Sequence, residues 1–264
     1  MNFEIVNCSN EEYHKDRTAI SSSGVKKLRQ SPAHFYSAYL DPDSEKKKPT
    51  PAMEFGTLVH ALVLEPETVK EVCAELSSTT VKKFSEAEKI AQSILKHPAA
   101  SVIKRRIGEP EFTIFWNEEV ENDDGELSTV RCKVRFDWFV RPCKALPNGL
   151  ALDVKTTTDA SQKEFSRSSY NLGYHIQAAL YTRAAEVAFN VSETPFIFLA
   201  AEKEAPFGVV SYQASRAMLE AGRREYTRLL KLYLNCRTSG VWPCYDQSIQ
   251  QLDLPRWAKE NYDD

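Results

Sequence analysis

The residues that most constrain the fold of this 264-residue chain lie between positions 130 and 155. Val130, Cys132, Val134, Phe136 and Trp138 alternate with Arg131, Lys133, Arg135 and Asp137. An extended backbone sorts such a period-two set onto two faces, so the apolar residues are expected against a core and Asp137 on a face with three cations. After a short loop, Leu152-Asp153-Val154-Lys155 repeats the theme, with Asp153 and Lys155 pointing one way and Leu152 and Val154 into the opposite layer. If these strands pair, Asp137, Asp153 and Lys155 meet at one spot.

Two carboxylates and a lysine are the minimum equipment for metal-assisted hydrolysis of a phosphodiester. Magnesium takes oxygen ligands and favours one or two carboxylates together with waters and phosphate oxygens, a role open to Asp137 and Asp153. Lys155 could orient or deprotonate the attacking water while the metal stabilises charge on the phosphate. Asp-x-Lys alone equally describes an exposed polar pair at a strand end, so its neighbours carry weight. Phe55 to Leu64 reads as a largely apolar helix with Gly56 and His60 four apart on one face. Leu172, Ile176, Ala179, Leu180, Val187 and Ala188 recur at helical spacing, and Gln177 and Tyr181 sit four apart on a neighbouring face, where they could steady Lys155 or a phosphate. Taken singly, His60 also reads as a satisfied core histidine, and Gln177 and Tyr181 as boundary residues.

In this order the residues resemble the PD-(D/E)XK nuclease superfamily, in its RecB-like branch, whose signature runs Gly-x-x-x-His, Asp, Asp-x-Lys, Gln-x-x-x-Tyr. The resemblance extends over nearly the whole chain to the nuclease domain of RecE-type enzymes (exonuclease VIII). It is carried further by Ile20 to Leu28, Ser31 to Phe35, Gly56 to His60, Leu64 to Glu67, Asp153 to Thr157 and Tyr174 to Gln177. It implies an α/β, restriction-endonuclease-like core, a central mixed sheet flanked by helices. It also implies an ATP-independent, magnesium-dependent exonuclease (manganese substituting, two ions) that degrades the 5′ strand of linear duplex DNA. The 3′ single strand left behind would go to an annealing protein in phage-type recombination. By the same resemblance His60, Asp137 and Asp153 ligate metal with the main-chain carbonyl of Val154, Lys155 acts on the water, and Gln177 and Tyr181 support the site. Glu111, just ahead of Phe112 to Trp116, is carried as a further metal-facing carboxylate, with Glu109 on the same expected strand face. The chain has Phe136-Asp137 where the superfamily name expects Pro-Asp, a mild departure because the carboxylate is the ligand.

At 42% hydrophobic residues the chain can bury one large core, and strand-helix alternation suggests a single domain: arm, helix and loop over 1–50, nuclease core over 51–237, tail over 238–264. A net charge of −3 is unusual for a DNA-gripping protein, so any DNA contact must use local charge. Basic clusters occur at Lys26-Lys27-Arg29, Lys46 to Lys48, Lys82-Lys83, Lys104 to Arg106 and on the face with Arg131, Lys133 and Arg135, each equally readable as a solvated face. A ring trimer or tetramer, implied by the resemblance, would reconcile an acidic exterior with a basic channel. Six widely spaced cysteines without a Cys-x-x-Cys pair indicate neither zinc site nor disulfide framework. With no apolar run long enough for a membrane span and no signal peptide at residues 1–4, the expected setting is the cytoplasm of a bacterial host.

Residues 1–19 read as a short strand or arm, followed by a helix from the Ser21-Ser22-Ser23 cap to about Leu40 and a Pro- and charge-rich loop over 41–51. Ser85-x-x-Glu88 and Ser161-x-x-Glu164 offer helix caps, the former helix breaking near His97-Pro98; strands are expected near Phe196 to Ala201 and Gly208 to Tyr212, and a last helix from about Ser215 to Asn235. Hydroxyls and amides at a helix start make an anion site, so Ser22, Ser23, Lys26 and Lys27 could hold a 5′ phosphate, as against ordinary capping. Two other functions fit the same residues: a related endonuclease or single-strand nuclease, or a catalytically silent DNA-binding subunit.

Overall fold

The computed structural model describes residues 3–44, 48–123 and 125–254; Lys46, Lys47, Asp124 and the last ten positions of the expected tail, 255–264, lie outside them. In chain order the elements are β1 (Phe3–Val6), α1 (Asn10–Lys15), β2 (Ile20–Ser21), α2 (Ser22–Gln30), α3 (Pro32–Tyr39), α4 (Pro51–Leu64), α5 (Val69–Glu75), α6 (Ser78–Val81), α7 (Phe84–Lys96) and α8 (Ser101–Lys104). They continue with β3 (Glu109–Glu121), β4 (Leu127–Val140), β5 (Leu150–Thr157), α9 (Gln162–Asn171), α10 (Tyr174–Phe189), β6 (Phe196–Glu202), β7 (Val209–Gln213) and α11 (Arg216–Ser239).

Long aromatic and β-branched runs make β3 and β4 an antiparallel hairpin, its turn closed by the Glu126 N–H on Asn122 Oδ1 at 2.8 Å. The sheet order is β1-β3-β4-β5-β6-β7, with β5 and β6 parallel and the other neighbours on this path antiparallel. Helices cover both faces. Val25 and Leu28 of α2, Ile176 and Leu180 of α10, and Tyr226 and Leu230 of α11 pack with Val130, Val134, Phe136 and Phe139. Phe55, Leu58 and Val63 of α4 and Ile90 and Ile94 of α7 pack on the other side with Trp138, Leu152, Val154 and Leu199.

The edge of β4 turned away from β3 is shared. β5 takes Trp138 to Val140, and two-residue β2 takes Cys132 and Lys133. Between them, residues 134–137 face a gap, and α2 starts at its rim because β2 runs straight into it.

Several expectations need correction. Trp138 does not share the face of Val130 to Phe136. Asp137 and Glu111, opposite one another, are both missing from the β3/β4 ladder, Glu111 with φ of 51°, while the register is the same on either side; past this break Trp138 lies in the opposite layer and Phe139 takes its place. The helix expected to reach Leu40 breaks at Ser31, which caps α3 through the His34 N–H while Pro32 occupies its first turn. Residues 10–15 form α1, with a Ser9/Glu12 capping box. Neither Ser85 nor Ser161 makes a side-chain cap: α7 starts one residue before Ser85, and Ser161 holds the N-cap position of α9 without the bond. Leu172 lies between α9 and α10 and is exposed. Helix α11 runs on to Ser239.

Helices α10 and α11 cross at Gly222, where a Cβ would overlap the carbonyl of His175 and come within 2.8 Å of the Ala179 Cβ. Gly222→Ala should therefore cost about 1–3 kcal/mol, read as a lower urea midpoint, because it prises the first turns of α10 off α11. An unchanged midpoint would show that this crossing is loose.

Candidate metal and catalytic site

The site forms where β4 and β5 part company. Their ladder ends at Trp138–Leu152, while β5 goes on pairing with β6 through Thr157. Val154 consequently turns its N–H and C=O toward the gap with no strand to receive them. Both are satisfied by side chains: Asp137 Oδ2 accepts the Val154 N–H at 2.7 Å, and His60 Nε2 donates to the Val154 carbonyl at 2.9 Å. His60 Nδ1 also lies 3.7 Å from Asp137 Oδ2. Three residues far apart in sequence are thereby locked together by backbone groups that a sheet would otherwise have paired.

On the adjoining face, Asp153 is 1% exposed. Gln177 Nε2 of α10 donates to its Oδ1 at 2.6 Å, and Lys155 Nζ forms an ion pair with its Oδ2. Burial pushes the Asp153 carboxyl up to about 6, aided by the neighbouring Asp137 charge and opposed by Lys155. Burial works against the Lys155 ammonium as well, but Asp153 and Asp137 outweigh it and hold its pKa above the ordinary value. The Tyr174 ring lies 5.2 Å from the Lys155 ammonium. Tyr181 is buried, which raises its pKa far above normal and keeps it a neutral phenol.

A cavity of about 350 Å³ opens beside these groups, lined by His60, Glu111, Asp137, Tyr181, Ser22, Ser23 and Arg135, with Asn10, Tyr13 and His14 of α1 as a further wall. Glu111 is ion-paired to Arg135, and its pKa is raised by burial first and by Asp137 next. Glu109 does not reach the cavity: it pairs with Arg141, its Oε2 3.0 Å from Nη2. The left-handed turn at Glu111 is what separates the two glutamates. Ser22 Oγ and Arg135 Nη1 are buried at this site without hydrogen-bond partners among the described residues.

The other expected DNA contacts scatter. Lys27 Nζ bonds Gln30 Oε1 at 3.0 Å, and Arg131 bonds Glu4 at 3.1 Å on the β1 side of the sheet. Lys133, counted with a basic face, is buried and donates to the carbonyls of Tyr13 and Asp16. Lys26 does come near Asp153 and Lys155. Tyr174 entered the sequence reading only within the stretch Tyr174 to Gln177 and without a role, and the α1 wall escaped it; for α1 the signal was present, since Ser9-x-x-Glu12 is a capping box.

Among the described residues no three His, Cys, Asp or Glu side chains form a ready-made metal cage. The donor chemistry nevertheless suits a hard divalent cation. Asp137 drives up the pKa of both Asp153 and Glu111, a mutual repulsion that a cation would relieve, and the carbonyl of Val154 sits at hydrogen-bond distance from His60. Asp137, Asp153 and Glu111, with His60 and the Val154 carbonyl, are the groups that would hold it. Magnesium or manganese at about 100 times its Kd should stabilise the protein by about 2.7 kcal/mol, seen as a higher melting temperature. Asp153 carries its proton below about pH 6, so the metal-induced shift should fade as pH drops through that value and vanish in Asp153→Asn. A shift that persists in Asp153→Asn would place the metal elsewhere.

A family model described as a PDDEXK-like domain of unknown function (DUF3799) matches residues 21–255. A crystal structure from Eubacterium rectale, of a protein provisionally named an exonuclease, is similar with a TM-score of 0.69 at 15% identity, over 98% of this chain and 99% of that one. The structure of a protein named SSO0001 aligns over 83% of this chain and 81% of that one at 14% identity, but with a TM-score of 0.37, too low to argue from. No curated protein matches. The Eubacterium rectale likeness speaks to fold alone, and the family match covers most of the chain: it belongs to the PDDEXK-like domain family (DUF3799), within the PD-(D/E)XK nuclease superfamily.

Proposed function

We propose that the protein is a divalent-metal-dependent DNA exonuclease that needs no ATP and degrades the 5′ strand of linear duplex, leaving a 3′ single strand for an annealing protein in phage-type recombination. The observation that carries the hydrolytic reading is the buried Asp153–Lys155 ion pair held by Gln177 beside the Asp137–Val154–His60 cluster. A fully buried carboxylate crowded by a second one is costly to a fold and gives a scaffold no benefit. Polarity and the recombination setting rest on the resemblance of the motifs to RecE-type enzymes.

In this reading Asp137, Asp153, Glu111 and His60 hold metal, which when bound supplies Lewis-acid stabilisation of the phosphate and an acidified water. Lys155, fixed by Asp153, presents its ammonium to the attacking water or the phosphate oxygen. Gln177 keeps Asp153 oriented, and Tyr181 donates as a neutral phenol into the cavity. Ser22, Ser23 and Arg135 supply hydrogen bonds to a phosphate entering the gap, since Ser22 Oγ and Arg135 Nη1 have no partner among the described residues. Among the described residues no helix is long and apolar enough to cross a membrane.

Linear duplex labelled at the 5′ or 3′ end, incubated with magnesium and no ATP, should lose the 5′ label first while closed circles survive. Asp153→Ala should lower the rate by about a hundredfold or more. Cutting of circles would replace the exonuclease by an endonuclease, and binding without cleavage would leave a silent DNA-binding subunit. Light scattering should give a trimer or tetramer, and a monomer with and without DNA would remove the ring.

A further inference from the structure

Helix α2 runs past the site. Ser22 opens it at the cavity rim, and Lys26 follows four residues later on the same face, about 6 Å along the axis, the scale of the step between successive phosphates of a strand. Lys26 is half-buried, yet among the described residues its ammonium makes no hydrogen bond and no ion pair. What surrounds it is the Tyr174 ring, 5.9 Å away and shared with Lys155, together with the charges of Lys155 and Asp153. Burial first, and then the Lys155 charge, bring its pKa down to about 8. A partly buried cation beside another cation, with only the Asp153 charge that Lys155 already engages to set against it, is favoured by an anion that arrives to take it.

The placement is built in by packing. Gly173 stands between α9 and α10 with φ of +67°, and a Cβ there would come within 3.0 Å of Cγ and Cδ of Lys26. The stem of Lys26 thus lies in a slot that only glycine leaves open. Beyond it is a second cleft of about 290 Å³ lined by Lys26, Arg29, Gln30, Asn171, Leu172 and Gly173. The first turn of α10 starts here without a side-chain cap, so its partial positive charge adds to that of the two cations.

We propose that Lys26 binds the phosphate next to the one on which Lys155 and the carboxylates act, and that the cleft beyond it receives the following nucleotide. This rests on the nuclease reading and extends it. The strand runs from the Ser22 and Arg135 cavity, across Asp153 and Lys155, to Lys26. Lys26 therefore contacts an internal phosphodiester, where the sequence alone had suggested a terminal 5′ phosphate.

The test uses 5′-phosphorylated duplexes carrying one neutral methylphosphonate linkage at successive positions from the 5′ end, cleaved under single-turnover conditions. Lys26→Met keeps the stem over Gly173 and removes the charge; its melting temperature should match wild type. Cleavage of the unmodified duplex should fall about ten- to a hundredfold. Wild type should show a similar loss at one internal linkage, and Lys26→Met should be indifferent to that linkage, with Lys26→Arg recovering part of the rate. Lys89→Met, on the exposed side of α7, should keep the wild-type pattern. The proposal is overturned if Lys26→Met cleaves like wild type, if it stays as sensitive as wild type at every linkage, or if it loses only the preference for a 5′ phosphate over a 5′ hydroxyl. Binding in EDTA separates this inference from the nuclease reading: Lys26→Met should reduce the salt slope by about one. A wild-type protein that binds with this Lys26-dependent slope but never cuts would sink the nuclease reading and keep Lys26 as a phosphate contact. No DNA binding at all would sink both.

Discussion

Everything at the site depends on two strands that stop pairing. Where β4 and β5 diverge, the backbone of Val154 is left with a donor and an acceptor facing an opening instead of a ladder. A buried amide without a partner costs about 1–3 kcal/mol. Asp137 answers the N–H from β4, and His60 answers the carbonyl from α4. The requirement to satisfy one residue's backbone therefore gathers a carboxylate, an imidazole and a main-chain oxygen at one point. The same divergence leaves room for α2, which starts at the rim because β2 occupies the other end of the β4 edge.

Around that point the charges are unevenly balanced. Asp153 has Lys155 and Gln177, Glu111 has Arg135, and Asp137 adds repulsion to both acids. On the cationic side, among the described residues, Lys26 has no ion pair and Arg135 keeps one nitrogen without a hydrogen-bond partner. Excess acid in the gap and excess base beside it would suit the metal and the polyanion of the proposed function. It also reconciles the proposed function with a net charge of −3: the relevant charge is local, partly buried and oriented.

Much of this was legible in the residues themselves. The alternation in Val130 to Phe136 and in Leu152 to Lys155 made strands, and the apolar helix around His60 and the helix around Gln177 appear as α4 and α10. Other features were hidden because they depend on one residue's backbone. The period-two pattern does not announce that Glu111 takes a left-handed turn, so neither the flip of Trp138 nor the choice between Glu109 and Glu111 could be read in advance. Basic residues were the least legible. Arg131, Lys133 and Arg135 look equivalent in a strand, yet the first bonds Glu4, the second is consumed by two carbonyls of the α1 segment, and only the third faces the cavity.

By itself, then, the sequence determined which chemistry was on hand: hard oxygen donors, a histidine and a lysine at spacings that strands and helices present on defined faces, because side-chain periodicity is a local property. Only the tertiary structure decided which of these groups meet and in what state. The divergence of β4 and β5, the close crossing at Gly222 and the slot at Gly173 are relations between distant segments. Burial and the nearness of other charges, which set the pKa of Asp153 and leave Lys26 beside Lys155 without an ion pair of its own among the described residues, exist only once those segments have packed.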